Sequence, residues 1–366
     1  MKVERIDVWH VALPLRTPWR TAYGSDSSIH SVIVRIASEG IEGWGEAAPL
    51  EAPTYSPQYA HATFDVICRF FAPALLGKEL PSAEVVLSLL AHFKGNSFAK
   101  AALESAWWNL ESQRSGTPLW RLLGGRDRRI SVGADFQAFD DTGELLDSIA
   151  RAVERGYPRV KLKVEPGREV KTVAAVRDAF PDLTIHIDCN SGYAFPDDSG
   201  VFRELDRFGL AMLEQPLRFD DFVGHAQLQQ IVETPICLDE SITSPAFFEL
   251  ALQMEACRIV NIKPARVGGL LPSCRILELA RENETGAWVG GMLESGIGVR
   301  IAGSLAALEG FTYPADIFPS DRIHAFDISD PPVLLDEDCM LTTDEITRPY
   351  RVDRERLADV TVERSP

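Results

Sequence analysis

Five short apolar stretches between Arg159 and Pro264 each run into an ionisable residue. RVKLKV (159–164) carries Lys161 and Lys163, TIHIDCN (184–190) carries Asp188, and LAMLEQP (210–216) carries Glu214. PICLDES (235–241) carries Asp239 and RIVNIKP (258–264) carries Lys263. From Lys163 onward the steps are 25, 26, 25 and 24 residues. One strand, one helix and two short loops take about that length, so the period predicts a βα unit repeated around a parallel barrel. Active sites of such barrels lie at the carboxyl ends of the strands. A lysine, three carboxylates and a second lysine therefore converge on one mouth.

The residue types at that mouth specify a chemistry. Three carboxylates on adjacent strands make an all-oxygen, hard-cation site that leaves coordination positions free, as Mg²⁺ (or Mn²⁺) prefers. No Cys or His joins the periodic set, which argues against zinc. Lys163 and Lys263 stand on strands with three others between them, so they face each other across the barrel. A lysine is a poor base at neutral pH unless neighbouring cations depress its pKa, an effect the carboxylates oppose. Strand alternation puts Lys161 on the same inner face as Lys163, one layer deeper, where it contacts a substrate carboxylate, tunes Lys163 or serves as an internal ion-pair partner. Together these groups suit removal of a proton α to a carboxylate, giving an enediolate held by the metal, followed by racemisation or β-elimination. Two other readings stay open. A lysine could act as a Schiff-base nucleophile, which leaves the three carboxylates unexplained, or the chain could be a non-catalytic metal-binding protein.

Composition narrows the partners. A formal charge of −17 over 366 residues argues against a nucleic-acid surface and disfavours an anionic membrane. No run of 18 apolar residues exists and the start, MKVERIDVWH, alternates like a strand, so neither a membrane span nor a signal segment is expected. The six cysteines lack CxxC spacing and read as reduced, buried thiols of a cytoplasmic protein.

Outside the period the pattern changes. Val3 to Leu15, Ser31 to Ala37 and Gly40 to Pro49 alternate as strands, and TPWRTAYGSDSS between the first two reads as a mobile loop. Helices are predicted over Ser56–Leu76, Ser82–Phe93 and Ala99–Arg114, then over Thr142–Arg155 and Arg168–Ala179 in the barrel. The first barrel strand, RISVGADFQ, is expected to bring Asp135 to the mouth, and AWVGGMLES brings Glu294, to touch substrate or to serve structure. His186 reads as a barrel-core histidine below the metal layer, Trp107 and Trp108 as packing, and Gly268-Gly269 as a turn or a weak anion cradle. The divisions expected are a capping α+β region over 1–128, a barrel over 129–320, and a tail over 321–366 that packs back on the cap, with strand-like runs at Pro332–Leu335 and Tyr350–Val352.

These residues resemble a known family. KLK at Lys161 to Lys163, the acids Asp188, Glu214 and Asp239, and NIKPARVGG from Asn261 resemble the muconate-lactonizing subgroup of the enolase superfamily. MLEQPL from Met212, TPICLDESI from Thr234, GGMLESGIG from Gly290 and GWGEAAP from Gly43 are similar to the o-succinylbenzoate synthase / N-acylamino acid racemase family. The resemblance implies an α/β fold: a modified (β/α)₇β TIM barrel with an α+β capping domain. It implies Lys163 and Lys263 as acid/base pair, Asp188, Glu214 and Asp239 on Mg²⁺, and Asn190 and Glu240 around them. Arg266 is associated with racemase activity, the loop around Arg20 to Ser25, with Tyr23, closes over a small carboxylate substrate, and a homo-oligomer is implied. Dipeptide epimerase or muconate cycloisomerase-like chemistry is the alternative, because Asp135 stands where the family has a small serine and Gly298-Val299-Arg300-Ile301-Ala302 departs from its usual GIGR pattern.

Overall fold

The fold was taken from a computed structural model that describes residues 1–21 and 23–365. Three antiparallel strands open the chain: β1 (Arg5–Thr21), β2 (Gly24–Ser38) and β3 (Ile41–Ala47). The segment read as a mobile loop is instead the tip of the β1–β2 hairpin, paired through Trp19↔Asp26, Arg20↔Ser25 and Thr21↔Gly24; Ala22 lies outside the described residues. Helical turns cover the sheet over 60–75, and the long helix Ser97–Ser115 lies against β3. That approach explains GIEGWGEAAP: a Cβ on Gly43 or Gly45 would fall 2.3 or 2.1 Å from the helix carbonyls of Ala106 and Ala102. Trp107 is buried and donates to the Leu80 carbonyl at 3.0 Å, so it packs within the cap.

The expected first barrel strand is split in two. β4 (Arg129–Ser131) pairs with a tail strand, and only β5 (Ala134–Phe136) enters the barrel. The parallel sheet continues through β6 (Arg159–Lys163), β7 (Thr184–Asp188), β8 (Leu213–Glu214), β9 (Ile236–Leu238), β10 (Ile259–Ile262) and β11 (Gly286–Val289), each hydrogen-bonded to the next. Residues 312–316 close the ring. Thr312 and Asp316 donate to the Ala287 and Val289 carbonyls, while Ala315 donates to Ser131 and accepts from Gly133, all at 2.9 to 3.0 Å.

The tail adds β12 (Ser329–Asp330), β13 (Met340–Thr342), β14 (Arg351–Val352) and β15 (Thr361–Arg364). β13 pairs with β4 in a separate two-stranded sheet, and β15 adds to the edge of the cap sheet beside β1. No strand forms at 332–335, whereas the pairing at 340–342 left no periodic signal in its short sequence. All six cysteines are free, and among the described residues no helix is long and apolar enough to cross a membrane.

Two buried glutamates fasten the cap to the barrel. Glu104 accepts from the Leu270 and Leu271 N–H groups at 2.8 and 2.9 Å, at the start of the helix Leu270–Glu282. The Gly268-Gly269 turn therefore leads into donors already taken by the protein's own carboxyl group, and a Cβ on Gly269 (φ +125°) would meet that group at 2.5 Å. Glu46 does the same for the helix Gly296–Ala306, accepting from Ser295 and Gly298 N–H at 3.0 and 2.9 Å. Both use the unpaired donors and positive end of a helix N-terminus.

Candidate active site

The barrel register sets the acids level with one another. Lys163 ends β6 opposite Asp188 at the end of β7, and Asp188 lies opposite Glu214 at the end of β8. Asp239 and Lys263 follow β9 and β10 directly. Carboxylate oxygens of Asp188, Glu214 and Asp239 come within 4.8 Å of one another, and all three residues are buried. The turns that carry them onward are strained: Asn190, Ser191 and Gln215 have φ of +42°, +61° and +38°, a region that non-glycine residues enter at a cost and that clusters at functional sites. Gln215, which the sequence left unremarked, ties two of these turns together. It accepts from the Asp239 and Ser241 N–H groups at 2.9 and 3.2 Å and donates to Ser241 Oγ at 2.8 Å.

Amines surround the acids. Lys163 Nζ lies 2.6 Å from Asp188, and Lys263 Nζ lies 2.9 Å from Asp239. Lys161 reaches Asp188 at 3.0 Å, Glu214 at 2.9 Å and Asp316 at 3.1 Å, so it is held as an ion-pair hub beneath Lys163 while still lining the cleft. Burial opposes both charges of the Lys161–Glu214 pair, yet the surrounding acids hold Lys161 well above its usual pKa, and Lys161 and His186 hold Glu214 well below its own. His186 lies one layer down, 3.3 Å from Glu214, and burial pushes its pKa to about 4. Burial and Lys161 work against the Lys263 charge, but Tyr55, Glu214 and Glu240 outweigh them and raise it. The carboxylates expected to oppose any lowering by neighbouring cations are thus close to Lys263 and act on it directly.

A further layer fixes the acids in place. Arg266, fully buried, donates to Asp239, to the Tyr55 hydroxyl at 3.1 Å and to the Ile242 carbonyl at 2.7 Å. It stands behind Asp239 and does not line the cleft. Asn190 donates its backbone N–H to Asp188 at 3.0 Å and its amide to Glu240 at 3.3 Å. Burial and the Asp188 charge push Glu240 up to about 7. Asn261 Nδ2 donates to Glu214 at 2.8 Å, and Tyr55, from the cap, donates to Asp239 at 2.8 Å.

Asp135 and Arg20 stand elsewhere than expected, and Glu294 takes the structural one of its two expected roles. Asp135 pairs in register with Lys161, not Lys163, and Arg159 neutralises it at 2.9 Å; it borders the cleft one layer down and is not an extra charge at the mouth. Burial and the neighbouring Asp316 push it up to about 7. Glu294 lies beyond β11, in a loop, and its carboxylate turns back onto the Met292 N–H at 2.8 Å, so Met292 and Leu293 face the cleft in its place. Arg20 points to the barrel rim, pairing with Asp140 at 2.9 Å and Glu165 at 3.1 Å, and latches the hairpin tip down. Tyr23 from the same tip does line the cleft.

The cleft has about 480 Å³ of free space, its open mouth included. Lys161, Lys163, Lys263 and Asn190 form its floor; Trp19, Ile29, Leu50 and Phe318 give it an apolar wall. Asp26, half-buried, adds a carboxylate, and among the described residues no salt bridge reaches it. The all-carboxylate donor set suits a hard divalent cation, and two further buried oxygens of the same ring, Asn190 Oδ1 and Glu240 Oε2, have no hydrogen-bond partner.

Fold and site together define a two-part α/β-barrel enzyme whose acids and lysines share one cleft beneath a cap. Residues 4–124 match the mandelate racemase / muconate lactonizing enzyme N-terminal domain, and residues 144–346 match the enolase C-terminal domain-like family. The chain belongs to the enolase superfamily, in the o-succinylbenzoate synthase / N-acylamino acid racemase family of its muconate-lactonizing subgroup. It is 37% identical to an o-succinylbenzoate synthase of Geobacillus kaustophilus over 98% of this chain and 95% of that protein. It is 38% identical to an N-succinylamino acid racemase of Amycolatopsis over 91% of each chain's length. A member of the enolase superfamily from Listeria innocua superposes with a TM-score of 0.94 at 34% identity, covering 100% of this chain and 98% of that one. Enzymes of this superfamily use a divalent metal.

Proposed function

We propose that the chain is an N-succinylamino acid racemase, with or without o-succinylbenzoate synthase activity, that works by abstracting the proton α to a substrate carboxylate. One observation carries the reading: Lys163 and Lys263 approach the same acid cluster from strands β6 and β10, with three strands between them, and both line one cleft. Asp188, Glu214 and Asp239 would hold the cation, Mg²⁺ or Mn²⁺. When bound, that cation supplies positive charge to the substrate carboxylate as the α-proton leaves and weakens the acids' hold on the lysines.

The protein's own groups do the rest. A neutral amine at Lys163 or Lys263 takes the α-proton from its side of the substrate, and the ammonium opposite delivers a proton to the other face. Lys161 keeps a fixed positive charge under the reacting carboxylate. Arg266, Tyr55 and Asn261 stop the acids from turning away. The hairpin tip, held by Arg20, places Trp19 and Tyr23 over the cleft and excludes water. Small carboxylates are the substrates, a homo-oligomer is supported by exposed Phe219, Val223, Phe247 and Leu250, and a cytoplasmic location by the six free thiols.

Asp26 favours a second reading. A carboxylate in the cleft with no salt-bridge partner among the described residues would welcome a cationic substrate group, such as a dipeptide's amine, and would repel a succinyl carboxylate. Exchange of the α-hydrogen in deuterated water, screened across N-succinylamino acids, dipeptides and the synthase substrate, separates the two. Exchange confined to dipeptides would remove the leading choice, and exchange of none would remove both.

A further inference from the structure

Within the cap, apart from the acid cluster of Asp188, Glu214 and Asp239, three metal-ligating side chains meet. His10 on β1 and Glu363 on the edge strand β15 are register partners, and His61 begins the helix Ala60–Val66 that packs beside them. His10 Nδ1 lies 2.9 Å and His61 Nδ1 2.6 Å from the same oxygen, Glu363 Oε1, and the three ligating atoms all fall within 4.8 Å of one another. We propose that His10, His61 and Glu363 form a second metal site, for a transition-metal dication of the Zn²⁺ type.

The chemistry of the set selects the ion. Two imidazole nitrogens and one carboxylate oxygen suit zinc with a fourth position open to water, and they do not suit Mg²⁺, which wants oxygen. The second ring nitrogen of His10 is already oriented: Nε2 lies 2.9 Å from His30 Nδ1, and His30 Nε2 faces Glu51 at 3.9 Å. With Nε2 donating along that chain, His10 Nδ1 keeps its lone pair for a metal, the arrangement by which ligating histidines are held. His10 is 6% exposed and fixed, whereas His61 at 59% and Glu363 at 32% can draw back. The two Nδ1 to Oε1 separations, 2.9 and 2.6 Å, lengthen by less than about an ångström to reach the roughly 3.3 Å that a tetrahedral ion requires. A bound ion would tie the first strand, the first helix and the last strand together.

The test uses the full chain with Mg²⁺ in excess, so that the acids in the cleft are occupied, and titrates Zn²⁺ by calorimetry and Co²⁺ by its visible ligand-field bands. One Zn²⁺ per chain is expected, with four-coordinate Co²⁺ bands and a raised melting temperature. His61→Ala and Glu363→Gln, at exposed and edge positions, are expected to weaken uptake at least about tenfold and to abolish the thermal shift, while Asp239→Asn leaves it unchanged. No uptake beyond Mg²⁺, equal affinity in His61→Ala and Glu363→Gln, or loss of uptake in Asp239→Asn would each overturn the assignment.

Discussion

Tyr55 of the cap donates its hydroxyl to Asp239 Oδ1 of the barrel at 2.8 Å, and its ring centroid lies 4.7 Å from the Lys263 ammonium. One cap residue thus touches an acid and an amine of the proposed centre. Tyr55→Phe keeps the ring over Lys263 and removes only the hydroxyl. The expected result is an intact fold with a Mg²⁺ activation constant raised about tenfold, read from α-exchange against metal concentration. An unchanged constant would show that the contact does not orient Asp239.

Chelation tests the acid cluster. EDTA is expected to abolish α-exchange, and Mg²⁺ or Mn²⁺ to restore it, with Mg²⁺ failing to restore Asp239→Asn. Exchange that persists after exhaustive chelation would favour the Schiff-base alternative, which borohydride trapping with a carbonyl substrate would then reveal.

Asp26→Asn tests specificity. Removing a half-buried negative charge from the cleft is expected to raise kcat/KM for N-succinylamino acids by about tenfold and lower it for substrates bearing a cation, a coupling of roughly 1.4 kcal/mol for a screened charge pair. Equal effects on both classes would show that Asp26 does not face the substrate.

Glu104 predicts a pH dependence of stability. Burial pushes its pKa from the ordinary 4.5 up to about 7, against the pull of the Leu271, Leu270 and Trp108 N–H groups. A raised carboxyl favours the protonated folded state, so its contribution is complete below the unfolded pKa and is lost as pH rises toward about 7, by at most roughly 3 kcal/mol. Glu104→Gln keeps an acceptor for the helix N-terminus and removes the titration. Urea midpoints at about pH 5 and about pH 8 are expected to differ less in the variant than in the wild type. An undiminished difference would place the titration elsewhere.

The sequence carried the barrel because each βα unit repeats locally, and a repeat of ionisable strand ends survives in a single chain. Asp188, Glu214 and Asp239 lie where the period puts them, on neighbouring strands and within 4.8 Å. Groups that reach the centre from outside the period left no such trace. Tyr55 stands 184 residues from Asp239 in an irregular stretch, and Asp316 comes from the closing segment 312–316, which lacks a strand's alternation. Asp135 lies a layer lower than one continuous strand would put it because RISVGADFQ forms two strands, β4 and β5, and a pairing of β4 with a tail strand some 210 residues away cannot be seen in local pattern. Glu294 takes its structural role because β11 stops at Val289 and the chain then turns. The hairpin tip looked like a loop because its composition is polar, yet pairing across Trp19↔Asp26 made it strand.

The most direct test of the two-lysine account is α-hydrogen exchange in deuterated water with each enantiomer of a turned-over N-acylamino acid, comparing wild type, Lys163→Ala and Lys263→Ala. The account predicts that each variant loses racemisation by at least about 10²-fold while retaining its fold, and that each still exchanges one enantiomer, the opposite one in the two variants. Full exchange of both enantiomers by either variant would contradict it.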